Sequence, residues 1–260
     1  MNIKETGFGR PLDGFQIFSW VLSLYQTLTF YLLILVVIKG IEQVVIGVFF
    51  TLVLIAVVSI GYLTTASNPT DIVVIKFKLS QEKGLAYLDR HSKYCNLCES
   101  WVSDSSKHCM TCNRCAPNFD HHCILVNNCI AEKNYKLFII LITSYQMNQV
   151  ILFSSSLYTI FIYLSDIDSF EKSLLYHNAK LGFTIICFTF ASSILTLCLN
   201  GYLIAFHIFL WHKGITTYDY ICRNKNKRIR PNTEGNSSGN VNEYVLVGVD
   251  SVLSEFNKKD

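Results

Sequence analysis

Charge is scarce in this sequence. Only 16% of its 260 residues are Asp, Glu, Lys or Arg, against about a quarter in an ordinary globular domain, while 51% are hydrophobic and the mean hydropathy is +0.33. That shortage turns the first expectation away from a soluble globule and toward a membrane protein. The formal net charge of +3 is too small for the basic face that a nucleic-acid partner requires, so nucleic-acid binding is excluded and charge is read for topology. A secretory cleavage pattern is also missing. The first apolar run is longer than a signal-peptide core and no small-residue cleavage site follows it, so it is expected to stay as a transmembrane helix.

Four stretches hold no Lys, Arg, Asp or Glu and reach the ~20 residues that a spanning helix needs: 17–38, 44–65, 137–164 and 181–211. An even number of spans puts both termini on one side. The first two runs are close enough for a tight hairpin, and a cysteine-rich segment separates the second from the third. Basic residues near span ends favour the cytoplasm. The loop side offers Lys76, Lys78, Lys83, Arg90, Lys93, Lys107, Arg114, Lys133 and Lys136, joined by Lys213 and the tail from Arg223 to Arg230. The opposite side has little beyond Lys39, Lys172 and Lys180. Both termini and the loop are therefore expected in the cytosol.

Ten cysteines and histidines crowd between Cys95 and Cys129, in the order Cys-x2-Cys-x9-His-Cys-x2-Cys-x2-Cys-x4-Asp-His-His-Cys-x5-Cys. Seven are cysteines, an odd number that disfavours a disulfide framework, and nested CxxC pairs have the spacing of metal ligands. Thiols kept for metal belong in a reducing compartment. A closed structural zinc site takes four ligands, so two ions would use eight of the ten and leave one pair over. The segment is too poor in apolar residues to build its own core, and metal would supply its folding energy, ~10–16 kcal/mol per ion in zinc-finger peptides. Spacing leaves open which of the two adjacent histidines is a ligand. The other, flanked by Asp120, could serve Cys123 as a base: the carboxylate orients the imidazole, the imidazole takes the thiol proton, and the thiolate attacks. The plainer alternative is Cys123 as a ninth metal ligand or an inert thiol.

From Cys95 to Phe138 the block, with the four-helix arrangement around it, resembles the Asp-His-His-Cys (DHHC) family of protein S-acyltransferases. Asn127-Asn128-Cys129 and Asn134-x3-Phe138 continue the family pattern. The resemblance implies two structural zinc ions, one held by Cys95, Cys98, His108 and Cys115, the other by Cys109, Cys112, His122 and Cys129. It implies Cys123 as the acyl-accepting nucleophile, His121 as its base and Asp120 as the partner of that base. The implied donor is acyl-coenzyme A, with palmitoyl expected as the acyl group, and the implied acceptors are cytosolic or membrane proteins with juxtamembrane cysteines. The expected architecture is an all-α polytopic membrane protein with four transmembrane helices and a cytosolic zinc-binding loop between helices 2 and 3. Its divisions are 1–65 (N-terminus and helices 1 and 2), 66–136 (cysteine-rich domain), 137–212 (helices 3 and 4) and 213–260 (cytosolic tail). The expected location is an endomembrane, Golgi or ER, or the plasma membrane.

Accessory positions depart from the family. Ile124-Leu125 stand where Pro-Trp is usual, Val102-Ser103-Asp104-Ser105 where Arg-Pro-x-Arg commonly precedes the first ligand histidine, Asn68-Pro69-Thr70 for Asp-Pro-Gly, and Thr216-Thr217-Tyr218-Asp219 for Thr-Thr-x-Glu. The nucleophile, base, aspartate and eight ligands all remain, which favours an active enzyme. The rival of another class is a membrane-anchored zinc module that recruits partners without catalysis. A RING-type ubiquitin ligase would need neither the Asp-His-His-Cys motif nor the spans.

Other residues carry plainer expectations. Cys187 and Cys198 read as buried packing residues, and His91 as a surface histidine. His207 and His212 are expected at the membrane interface. Cys222, at the cytosolic edge, is a candidate for acylation of its own. Ser19, Ser23, Tyr25 and Tyr145 could line an acyl cavity or bond between helices. Past Arg223 the composition is linker-like, and 241–256 could form a short amphipathic helix.

Overall fold

A computed structural model describes residues 3–87, 93–174 and 178–229. Four of its helices are long and apolar enough to cross a membrane: α1 (Gly14–Val37), α2 (Ile41–Ala66), α4 (Tyr135–Ser165) and α6 (Ala179–Lys213). Each of the four expected runs lies almost wholly within one of them. α4 and α6, at 31 and 35 residues, exceed the membrane minimum, a surplus that tilt or an extra turn beyond the hydrocarbon accommodates. Shorter helices α3 (Ile72–Glu82), α5 (Ile167–Ser173) and α7 (Thr217–Ile229) connect or flank them.

Helix ends follow local chemistry. The Asp13 carboxylate accepts from the Phe15 N–H to start α1, and Asn178 does the same for Leu181 at the start of α6, each satisfying a donor with no intrahelical partner. The α1–α2 turn passes through Gly40 at φ 79°, a conformation that a Cβ disfavours. Phe30–Ile34 winds as a π-helical turn within α1, where Phe30 stacks on Phe50 of α2.

α4 packs along both α2 and α6, and polar side chains join the spans at mid-depth. Gln149 donates to Gln26 and accepts from Thr196, Gln26 also donates to Ser192, and the Tyr25 hydroxyl donates to the Ile185 carbonyl. Tyr25 therefore bonds between helices. Ser19 returns its hydroxyl to Gln16 of its own helix. Cys198, expected to be buried, is exposed on the bundle surface; lipid is as apolar as the interior, so a small apolar side chain gains nothing by facing inward.

Three two-stranded antiparallel hairpins carry the cysteine-rich segment. They are β1 (Lys93–Cys95) with β2 (Ser100–Val102), β3 (Lys107–Cys109) with β4 (Arg114–Ala116), and β5 (His121–Cys123) with β6 (Asn128–Ile130). They repeat at a spacing of 14 residues: Cys95, Cys109 and Cys123 end the first strands, opposite Ser100, Arg114 and Asn128. Each tight turn closes through a left-handed residue, Glu99, Asn113 and Asn127, at φ 49–50°. Asn tolerates that region better than most residues.

A polar clasp fastens these hairpins to the spans. Asn128 donates to the Thr65 and Ser67 carbonyls at the end of α2 and accepts from Arg114 and from the Cys129 N–H. Arg114, fully buried, also donates to the Glu5 carbonyl, while the Lys4 N–H donates to the Cys112 carbonyl. The N-terminal segment thus lies on the cysteine-rich domain. α7 continues to Ile229, six residues into the stretch expected to be linker-like. His91 and the possible helix at 241–256 lie outside the described residues.

Candidate active site and metal centres

Successive side chains of a strand point to opposite faces. In β3 and β5 this turns each ligand histidine away from its neighbouring cysteines: His108 reaches back to the first hairpin's turn, and His122 to the second's. The fold brings one ligating atom each of Cys95, Cys98, His108 and Cys115 within 4.8 Å of one another, and likewise Cys109, Cys112, His122 and Cys129. These are the two quartets that the resemblance implies. His108 Nδ1 lies 3.7 Å from Cys95 Sγ, 3.3 Å from Cys98 Sγ and 3.8 Å from Cys115 Sγ, with 3.7 Å between the last two sulfurs. In the second quartet His122 Nδ1 is 3.9 Å from Cys109 Sγ and 3.3 Å from Cys112 Sγ. Bonds of ~2.3 Å to sulfur and ~2.0 Å to nitrogen give a tetrahedron edges of roughly 3.5–3.8 Å, so the spacing fits zinc.

The electrostatics agree. Hydrogen bonding from Cys115, with the help of His108 and against burial, pulls the Cys98 thiol down to about 4. Cys115, hydrogen-bonded to that thiolate and buried, is pushed well up. Packed this closely, the sulfurs cannot all ionise unless a cation is shared among them.

The third hairpin differs. Val126 takes the place that Cys98 and Cys112 hold in the other turns, so Cys123 has no CxxC partner. Strand alternation sets His121 and Cys123 on one face while His122 takes the other. Cys123 packs on Val126, Ile130, Phe138 and Ile142, where the third hairpin meets the end of α4. Burial raises its thiol, but hydrogen bonding and charge from His121 outweigh this and leave it lowered.

His121 Nδ1–H donates to Asp120 Oδ2 at 2.7 Å. Burial opposes the charged imidazole, yet hydrogen bonds to Asp120 and Cys123 raise His121 to about 9. Asp120 is 3% exposed. Burial pushes its carboxyl up, and bonds to His121 and Thr217 more than reverse the effect. Thr217 donates both its N–H, at 2.9 Å, and its hydroxyl, at 2.8 Å. It is the first residue of α7, so the positive end of that helix dipole also faces the carboxylate. Asp219 bonds back to the capping Thr216 through both its N–H and its carboxylate.

Sequence reasoning missed two residues here. Thr217 belongs to the noted Thr-Thr-x-Asp element, whose link to Asp120 spans 97 residues. His207, expected at the membrane interface, is packed within the protein, 4% exposed, its ring 6.0 Å from that of His121 and its Nδ1 3.2 Å from the Tyr135 hydroxyl. His212 is exposed. The accessory positions also gain settings. Ser103 and Ser106 bond to the buried Asp71, Ile124 and Leu125 stand exposed, and Cys222 is half-buried against Tyr218.

The model of the DHHC palmitoyltransferase family matches residues 89–224, a segment that runs from the first hairpin through α4 and α6 into α7. Comparison with curated proteins gives no match.

Proposed function

The chain belongs to the DHHC palmitoyltransferase family, and from that premise we propose that it transfers a long-chain fatty acyl group, palmitoyl in the first instance, from acyl-coenzyme A to cysteine thiols of cytosolic or membrane proteins. One observation carries the reading: Asp120, His121 and Cys123 form a hydrogen-bonded row beside the apolar ends of α4 and α6. A thioester at Cys123 would have an apolar neighbourhood for its chain.

The steps follow from that row. His121 Nε2 takes the Cys123 proton while Asp120 holds Nδ1–H, and the thiolate attacks the donor's thioester carbonyl. The tetrahedral intermediate expels coenzyme A thiolate, which receives the proton from Nε2. An acceptor thiol then gives its proton to Nε2 and attacks the acyl-Cys123 carbonyl; Cys123 leaves and is reprotonated. The two Cys3His quartets would hold zinc, which supplies folding energy and no chemistry to these steps. Membership supports an acyl-coenzyme A donor and membrane-associated protein substrates; the proposed location is an endomembrane or the plasma membrane.

The test is self-acylation. Purified protein given labelled palmitoyl-coenzyme A and no acceptor is expected to gain a hydroxylamine-labile acyl group, and Cys123→Ser to gain none at that position. Ping-pong kinetics are expected once an acceptor is added. Label confined to Cys222, or acceptors acylated by Cys123→Ser at the wild-type rate, would favour the non-catalytic zinc module.

A further inference from the structure

Acyl transfer as proposed makes no use of His207. This imidazole, on a membrane-spanning helix, is 4% exposed and ringed by Tyr135, Phe138 and His121. A ligating atom from each of Asp120, His121 and His207 lies within 4.8 Å of the other two, and none of the three belongs to a cysteine quartet. Tyr135 engages His207 Nδ1 at 3.2 Å, which leaves Nε2 as the atom that His207 offers. An outer partner on one ring nitrogen is the usual arrangement for a histidine that ligates through the other. Thr217 likewise braces Asp120 from behind. Two imidazoles and one carboxylate are a three-ligand set that leaves a fourth position open, and imidazole ligands suit zinc and its neighbours. The His121 side chain is 24% exposed, which gives an ion a way in.

We propose that Asp120, His121 and His207 form a third, exchangeable zinc site, and that filling it switches acyl transfer off. The inhibitory part rests on the reading of His121 as base. That role needs a lone pair on Nε2 and a proton on Nδ1, the tautomer that Asp120 holds at 2.7 Å. Zinc on Nδ1 displaces that proton, which returns through solvent to Nε2. Nε2 then has no lone pair for the Cys123 thiol, and Asp120 is spent on the metal. Cys123 is not a ligand, because it addresses the other nitrogen of the ring.

The experiment uses the full chain carrying two zinc equivalents and equilibrated with buffered free zinc. Bound metal is read by elemental analysis and self-acylation by labelled palmitoyl-coenzyme A. Wild type is expected to take up a third equivalent while self-acylation falls roughly a hundredfold, the scale of a lost general base, and to recover when free zinc is lowered. His207→Phe and His207→Gln, the second able to keep a bond to Tyr135, should stop at two equivalents and be insensitive to zinc over the same range. Cys123→Ser should keep the third equivalent. Cobalt bound there should show weak visible bands without the sulfur charge-transfer absorption of the quartets. Uptake that stops at two equivalents in wild type, inhibition of the His207 variants as deep as in wild type, or loss of the third equivalent in Cys123→Ser overturns the site. Metal uptake by Cys123→Ser is read apart from the reaction: a third equivalent there, with no acylation by wild type, counts against the acyl-transfer reading and not against the site.

Discussion

His121 and His122 are neighbours in the chain with unlike surroundings. His121 Nδ1 bonds a carboxylate, whereas His122 Nδ1 faces the thiols of Cys109 and Cys112. Exchanging each for alanine should therefore produce opposite losses. His121→Ala is expected to abolish self-acylation while two zinc ions per chain remain, and His122→Ala to lose metal and stability together, as elemental analysis and thermal unfolding of the same preparations would show. A fall below two zinc ions per chain in His121→Ala would mean that the roles are exchanged. Asp120→Ala should slow the reaction with both ions kept. A finer probe is Thr217→Val, which deletes the hydroxyl donor but keeps the N–H. A net hydrogen bond of about 1.5 kcal/mol to a charged group corresponds to a roughly tenfold lower rate, with zinc content unchanged. A wild-type rate would show that the hydroxyl does not help to hold Asp120.

At the scale of the elements, what was legible depended on how far a pattern extends along the chain. Uncharged runs of membrane length announced the four spans. Nested CxxC pairs announced clusters able to hold metal, and the family resemblance divided their members into the quartets that the fold brings together. Strands of three residues are too short to show alternation, so the face shared by His121 and Cys123 was not readable as a strand face. The 14-residue spacing of Cys95, Cys109 and Cys123 was present in the sequence, yet its meaning as three equivalent hairpins emerges only with the paired registers. Asp71 was not legible at all. It starts α3 by accepting from the Val73 N–H, accepts from Ser103 and Ser106 across the loop, and donates its own N–H to the Cys115 carbonyl. Removing this buried carboxylate leaves several donors unsatisfied at once, so Asp71→Ala should destabilise the protein by about 2–4 kcal/mol, with Asp71→Asn intermediate. Thermal unfolding in detergent would measure it, and an Asp71→Ala midpoint equal to wild type would remove the clasp from the argument.

For the whole molecule, one end of the bundle collects the parts on which function depends. The N-terminal segment hydrogen-bonds to the second hairpin through Lys4 and to the end of α2 through Gly7, the third hairpin sits on the ends of α2 and α4, and the first residue of α7 closes on Asp120. His207 reaches the site from within the last span and Thr217 from beyond it, so no local window of sequence could have placed them there. Because these contacts tie the N-terminal segment, loop and α7 to one end, locating any one of them locates the others. Basic residues bear on which side that is: the loop and α7 carry most of the Lys and Arg, and such segments favour the cytoplasm, so we propose a cytosolic setting for this end. In sealed vesicles with the cytosolic face outward, protease should remove epitope tags from both termini without detergent. A tag inserted after Asp166, between α4 and α5, should survive until detergent is added. Protection of both terminal tags with cleavage of the internal one would invert the orientation and put the thiols of the quartets and Cys123 in an oxidising lumen. Cleavage of one terminal tag alone would break the four-span count, since an even number of crossings cannot separate the termini.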